Sequence, residues 1–223
     1  MNIKSMTQVT SAPASVLESN KVLRNTYALL AMTLLFSALT AGITMTLQLP
    51  HPGVVITLVG YFGLLFATTK FRNSGLGLVF VFALTGFMGY TLGPILSSYL
   101  SKPNGSQVVM TAFMATGVLF LGLSGYALTT KKDFSFIGAF LTVGIIVGFL
   151  AGLGAMLFEM PGLSLAVSAM FVLLMAGLIL YETSNIIHGG ETNYIMATVT
   201  LYVAIFNLFT SLLHLLGFMN SQE

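Results

Sequence analysis

The residues most able to do chemistry lie together in Glu182-Thr183-Ser184-Asn185-Ile186-Ile187-His188-Gly189-Gly190-Glu191-Thr192-Asn193-Tyr194. Two carboxyls, an imidazole and two amides within 13 positions could hold a proton or a cation, or end one helix and start another. The reference pKa of a histidine, about 6.5, would allow His188 to act as a pH sensor. The same residue also sits where a helix C-terminus favours a cation. Gly189 fits the left-handed position that closes a helix. Glu191 or Thr192 could accept from the free amides that open the next helix. Glu182 falls just inside an apolar run, where an acid is costly unless it is paired or faces water. Asn207, Thr210, Ser211 and His214 follow at helical spacing and make a polar seam. That seam reads equally as hydrogen bonding between helices or as a solvated path.

A second chemical pattern is Gly122-Leu123-Ser124-Gly125, a GxSG of the kind intramembrane serine proteases carry, with His214 as a base. Nucleophile and base must come within about 3 Å. The topology derived below puts Ser124 and His214 near opposite ends of their helices, roughly 20 Å apart in depth at 1.5 Å rise per residue. The pair therefore reads as ordinary packing, and the chain as no enzyme. No zinc-peptidase, phosphate-loop or dinucleotide motif occurs. There is no cysteine in the chain, so disulfides and thiolate metal sites are excluded. No cofactor or confident metal site is expected.

The elements that must position these groups follow from composition. Of 223 residues, 56% are hydrophobic and only 6% charged, against roughly 25% charged in a soluble domain. Most of the surface must therefore face lipid. A formal net charge of +2, with no basic run, excludes a nucleic-acid partner. Apolar runs cover 26–47, 53–69, 75–97, 107–129, 134–157, 162–187 and 194–218. Each is close to the length of about 20 residues that spans a bilayer as a helix. None alternates like a barrel strand. The expected fold is all-α: a polytopic bundle of seven transmembrane helices.

Polar Met1–Asn25, with Lys4, Glu18, Lys21 and Arg24, reads as a flexible tail rather than a signal peptide, because the apolar run after it has full span length. The expected organisation is thus a tail at 1–25, a membrane domain at 26–218 and a short C-terminus at 219–223. Seven of the eight Lys and Arg fall on one side of this arrangement and only Lys102 on the other. The positive-inside rule then places the N-terminus in the cytoplasm and the C-terminus in the periplasm. Gly144, Gly148 and Gly152 make a smooth stripe suited to close helix packing within the monomer. Pro94 is expected to kink or end the third helix.

Two groups of residues carry a family resemblance. They are Gly86-Phe-Met-Gly89-Tyr-Thr-Leu-Gly93-Pro94-Ile-Leu96, then Ala112-x3-Thr116-Gly-Val-Leu-Phe120. They resemble the Bax inhibitor-1 (transmembrane Bax inhibitor motif) family. Lys21-Val-Leu-Arg24-Asn-Thr-Tyr27, Leu128-Thr-Thr-Lys131-Lys-Asp133-x-Ser-Phe136 and the segment from Glu182 to Tyr194 quoted above are similar to an enterobacterial member that modulates the FtsH protease. The likeness runs from about Lys21 to Gly217. It implies a multi-pass protein of the bacterial inner membrane that binds FtsH and the HflK/HflC complex and restrains degradation of membrane substrates. It also implies that the chain is itself a slow FtsH substrate, taken by its N-terminal tail with Lys4, Glu18, Lys21 and Arg24.

The wider family implies a second activity, a pH-sensitive calcium leak controlled by two facing aspartates on the sixth and seventh helices. Matched residue by residue, the first falls on Glu182 and the second on Ala204. A carboxylate and a methyl cannot share a proton as two coupled carboxylates do. The expectation for this chain is a weaker polar, proton or cation site made by Glu182, Asn185 and Asn207.

Overall fold

A computed structural model of the chain describes residues 16–220, with side chains from Ser19 onward. Lys4 and the three C-terminal residues lie outside the described residues, and nothing is described of the Glu18 side chain. The elements are α1 (Val16–Thr46), α2 (Val54–Lys70), α3 (Gly75–Leu100), α4 (Gly105–Thr130), a 3-10 turn (Ser135–Ile137), α5 (Gly138–Leu157), α6 (Pro161–Ile187) and α7 (Tyr194–Asn220). Among the described residues every regular element is helical.

Helices form because these runs carry strong helix formers and apolar side chains, and a helix alone satisfies every backbone group inside lipid. Six of them are long and apolar enough to cross a membrane. The seventh, α2, has 17 residues. At 1.5 Å per residue it covers about 25 Å, less than the roughly 30 Å of hydrocarbon a bilayer presents. Length and composition therefore support six spans and one shorter apolar helix, where the apolar runs alone predicted seven equivalent spans.

Two boundaries differ from expectation. Val16–Asn25, assigned by its polarity to a tail, forms the first turns of α1. Its Lys21 and Arg24 are exposed there, so this stretch is an amphiphilic extension of a long helix. Pro94 does not end α3, which continues to Leu100.

The bundle is built around α7, which packs against α6, α4, α1 and α3. Half of the α7 span is buried, against 11% of the α5 span. α2 packs on α3 and α5 on α6, each at the periphery. The longest interface joins α1 to α3. There Gly89 and Gly93 lie against the backbone carbonyls of Ser37 and Ala41 and the hydroxyls of Thr40 and Thr44. Close approach of this kind replaces the hydrophobic drive that helices in lipid lack. The α5 stripe faces inward as expected: Gly144 abuts Leu174, Gly148 abuts Met170 and Phe171, and Gly152 abuts Val167, all on α6.

Candidate functional site

The segment linking α6 to α7 organises one end of the bundle. Gly189 adopts φ +76°, the left-handed conformation expected of it, while His188 is the residue that caps α6. His188 Nδ1 lies 2.8 Å from the Ser184 carbonyl and 3.3 Å from its hydroxyl. Nδ1 bears the proton in that contact, because a carbonyl oxygen can only accept. The Asn185 carbonyl accepts from the amides of Gly190 (2.9 Å) and Glu191 (3.3 Å), and its side-chain oxygen rests against Gly190.

α7 opens on Asn193, whose Oδ1 accepts from the amides of Ile195 (3.0 Å) and Met196 (3.1 Å). Glu191 acts one step earlier, accepting from the Asn193 amide at 2.6 Å. The expectation that Glu191 or Thr192 would take the opening amides of α7 is therefore corrected to Asn193. Asn is among the strongest N-cap types, so the signal was present in the sequence.

The same segment binds its neighbours. Asn193 Nδ2 donates to the Arg72 carbonyl (3.0 Å) and to Asn73 Oδ1 (2.8 Å), tying it to the α2–α3 connection. The Ser184 hydroxyl donates to the Lys132 carbonyl and accepts from the Phe134 amide, both at 3.0 Å, tying α6 to the α4–α5 connection. In that connection Asp133 Oδ1 accepts from the Ser135 amide at 2.8 Å, which holds its carboxyl below the usual carboxylate range. An open cleft of about 480 Å³ separates Ser19, Lys21, Val22 and Asn25 on α1 from Glu191, Thr192 and Tyr194. The start of α1 and the three connections thus meet at one end, with Lys21, Arg24, Lys70, Arg72, Lys131 and Lys132. Among the described residues only one cation, Lys102, lies in a connection at the other end.

Glu182 is buried, 4% exposed, and its Oε1 has no hydrogen-bond partner. Thr26 Oγ1 on α1 is the other unpartnered buried side-chain oxygen among the described residues. Around them the helices are joined by hydroxyls. Tyr27 meets Thr183 (3.3 Å), Thr183 meets Ser124 (3.4 Å), and Thr198 donates to the Thr26 carbonyl (3.2 Å).

Of the expected trio, the structure keeps the Asn185 side chain beside Glu182 and leaves Asn207 apart. Asn207 Nδ2 donates to the Val203 carbonyl of its own helix at 2.9 Å. Asn207 lies 13 residues into α7 and Glu182 five residues from the end of α6, a depth difference of roughly 12 Å. Asn185 also holds the Gly190 turn through its carbonyl. Ala204 is fully buried in an apolar cluster with Leu174, Met175, Ile179 and Leu208. Among the described residues no three His, Asp or Glu side chains converge as a metal site would need.

The GxSG pattern is resolved the same way. Ser124 faces Thr183, whereas His214 Nδ1 lies 2.7 Å from the Ser168 hydroxyl on α6. Ser168 was not singled out from the sequence, because a lone Ser in an apolar run carries no signal. The polar seam of α7 is mostly turned on its own helix, as Asn207 and Thr210 bond carbonyls three or four residues back. Tyr202 is different: its hydroxyl meets Ser37 of α1 at 2.6 Å and the Thr85 carbonyl of α3 at 3.3 Å.

Comparison with known proteins matches residues 19–221 to the family model described as "Inhibitor of apoptosis-promoting Bax1". An uncharacterized protein of Pseudomonas aeruginosa is 54% identical over 216 residues, 97% of each chain. A protein of Escherichia coli K12 named modulator of FtsH protease YccA is 52% identical over 204 residues, 92% of this chain and 93% of the relative. Its counterpart in a second E. coli strain, named inner membrane protein YccA, matches equally. With a family model covering nearly the whole chain, and six long apolar helices to cross a bilayer, this chain belongs to the Bax inhibitor-1 family and is a multi-pass inner-membrane protein.

Proposed function

We propose that the chain is a modulator of the FtsH protease, binding FtsH and the HflK/HflC complex and restraining degradation of membrane substrates. The observation that carries this reading is the 52% identity, over 92% of the chain, to the E. coli protein named for that role. In this reading the start of α1 and the three connections at its end, two of them bearing cations, face the cytoplasm, the C-terminus faces the periplasm, and α2 completes a seventh crossing.

The N-terminal segment is the part the protease would take, and the chain is a slow substrate because the bundle behind it resists unfolding. Residues 1–15 precede α1, and fully extended they would reach at most about 50 Å. Lys4 belongs to this handle. Glu18, Lys21 and Arg24 belong to the first turns of α1, where the pull would meet helix. The resistance has a physical source in the hydrogen bonds that tie the three connections together at that end.

Two measurements test this. Affinity purification of the full chain from detergent extracts should recover FtsH with HflK/HflC; their absence would sink the modulator reading. In pulse–chase, a chain lacking residues 1–15 should outlive the full chain in FtsH-containing cells. Equal decay would remove the handle.

A second reading, a cation or proton leak, rests on the buried, unpartnered oxygen of Glu182. A calcium ion prefers six or more oxygen ligands, and Ala204 supplies none. Glu182→Gln should abolish pH-dependent calcium flux into proteoliposomes if this reading is right. Unchanged flux removes Glu182 from it.

A further inference from the structure

The modulator reading uses the backbone of the α4–α5 connection but not its two lysine side chains or the exposed face of α5 that follows them. Lys131 ends α4 in the left-handed conformation (φ +51°), its amide donating to the Ala127 carbonyl at 2.9 Å. Lys132 reaches back, its Nζ 3.3 Å from the Tyr126 hydroxyl and 5.9 Å from the ring centroid. Among the described residues neither lysine pairs with a carboxylate. Asp133, between them and the next helix, has its Oδ1 turned to the Ser135 amide. The backbone that carries the lysines is fixed, because Ser184 clamps it on both sides of Asp133.

Directly after the lysines comes an apolar stripe that none of the described residues covers. Phe136 is 78% exposed, and Phe140, Val143, Val147 and Leu150 continue it down α5 at steps of four, three, four and three residues. That spacing keeps all five on one face. α4 and α5, though consecutive, each pack on α6. The stripe therefore remains open to lipid from the level of the lysines toward the middle of the bilayer.

We propose that Lys131 and Lys132, with the stripe that begins at Phe136, form a binding site for an anionic glycerophospholipid. The phosphate lies against the two ammonium groups and the Tyr126 hydroxyl, and one acyl chain runs down Phe136, Phe140 and Val143. Charge complementarity selects the headgroup, and the uncovered stripe selects a lipid over an acidic protein or free phosphate. Because Ser184 joins this connection to α6, an occupied site would also steady the end of the helix that carries Glu182.

The test is native mass spectrometry of the full chain extracted with its lipids and titrated with phosphatidylglycerol or phosphatidylcholine. Each lysine near an anionic headgroup strengthens binding roughly fivefold. Lys131→Gln with Lys132→Gln should therefore weaken phosphatidylglycerol retention about 25-fold and leave phosphatidylcholine unchanged. Replacement of both by Arg should keep it. Phe136→Gln should weaken retention of the lipid without altering competition by inorganic phosphate. The paired variant Lys70→Gln with Arg72→Gln, at the same end of the bundle, should bind phosphatidylglycerol as the wild type does. Equal retention by the lysine variant overturns the proposal, as does an equal loss in the Lys70 and Arg72 variant, which would mean a diffuse surface charge. A Phe136→Gln variant that retains phosphatidylglycerol as the wild type does would also overturn it, because the site would then be one for phosphate alone.

Discussion

At the scale of the residue, Glu182 is the side chain whose environment is least balanced. It is buried, and one carboxyl oxygen has no partner. A polar group left so costs on the order of 1–3 kcal/mol, and more when it carries charge. Glu182→Gln keeps the shape and cannot ionise, so it should leave the Tm of the purified protein unchanged or raise it, by the equivalent of up to about 1 kcal/mol. A lower Tm would mean that Oε1 makes a bond that the amide cannot. Ser184 is the contrary case, since its hydroxyl answers both the Lys132 carbonyl and the Phe134 amide. Ser184→Ala would leave that amide without an acceptor, a loss of roughly 1–3 kcal/mol. Hydrogen exchange at Phe134 should accelerate by tenfold or more while exchange in the middle of α7 stays unchanged.

At the scale of the element, the α1–α3 interface is set by glycine. A Cβ at Gly93 would stand 2.7 Å from the Ala41 carbonyl oxygen and 2.9 Å from Thr44 Cβ, so α1 would have to move as a body. Gly93→Val should destabilise the bundle by roughly 1–3 kcal/mol. Gly125 of α4 has open space where its Cβ would stand. Gly125→Ala should be neutral or stabilise by up to about 1 kcal/mol, because glycine is a poor helix former. Thermal denaturation in detergent compares the two directly, and equal Tm values would show that α1 and α3 do not approach so closely. The motif containing Gly86, Gly89 and Gly93 was visible in the sequence, but its partner was not. Spacing says that a face is smooth, and only packing says that Ser37, Thr40, Ala41 and Thr44 fill it.

At the scale of the whole molecule, three segments carry six of the seven described cations to one end, and hydrogen bonds from Ser184 and Asn193 hold two of them there. If that end is cytoplasmic and α2 crosses despite its length, a phosphatase fused after Glu223 should be active in the periplasm. The same reporter inserted at Asp133 should be inactive. A silent C-terminal fusion, with an active one at Asp133, would invert the molecule and the reading that depends on its orientation.

The sequence by itself determined what composition and local order can carry: a helical membrane protein, helix limits mostly within three residues, the charge asymmetry of the two ends, and the family. These are legible because apolar runs, breakers and caps act through neighbouring residues. The tertiary structure alone decided which side chains meet. These helices are apolar on nearly every face, so periodicity gives no direction to the interior, and polar residues at matching positions need not lie at matching depth. Hence Asn207 turns to Val203 and stays apart from Glu182, and His214 finds Ser168 while Ser124 faces Thr183. Asn193 joins two connections more than a hundred residues apart in sequence. Contacts across such separations depend on where whole helices come to rest, which no local pattern records.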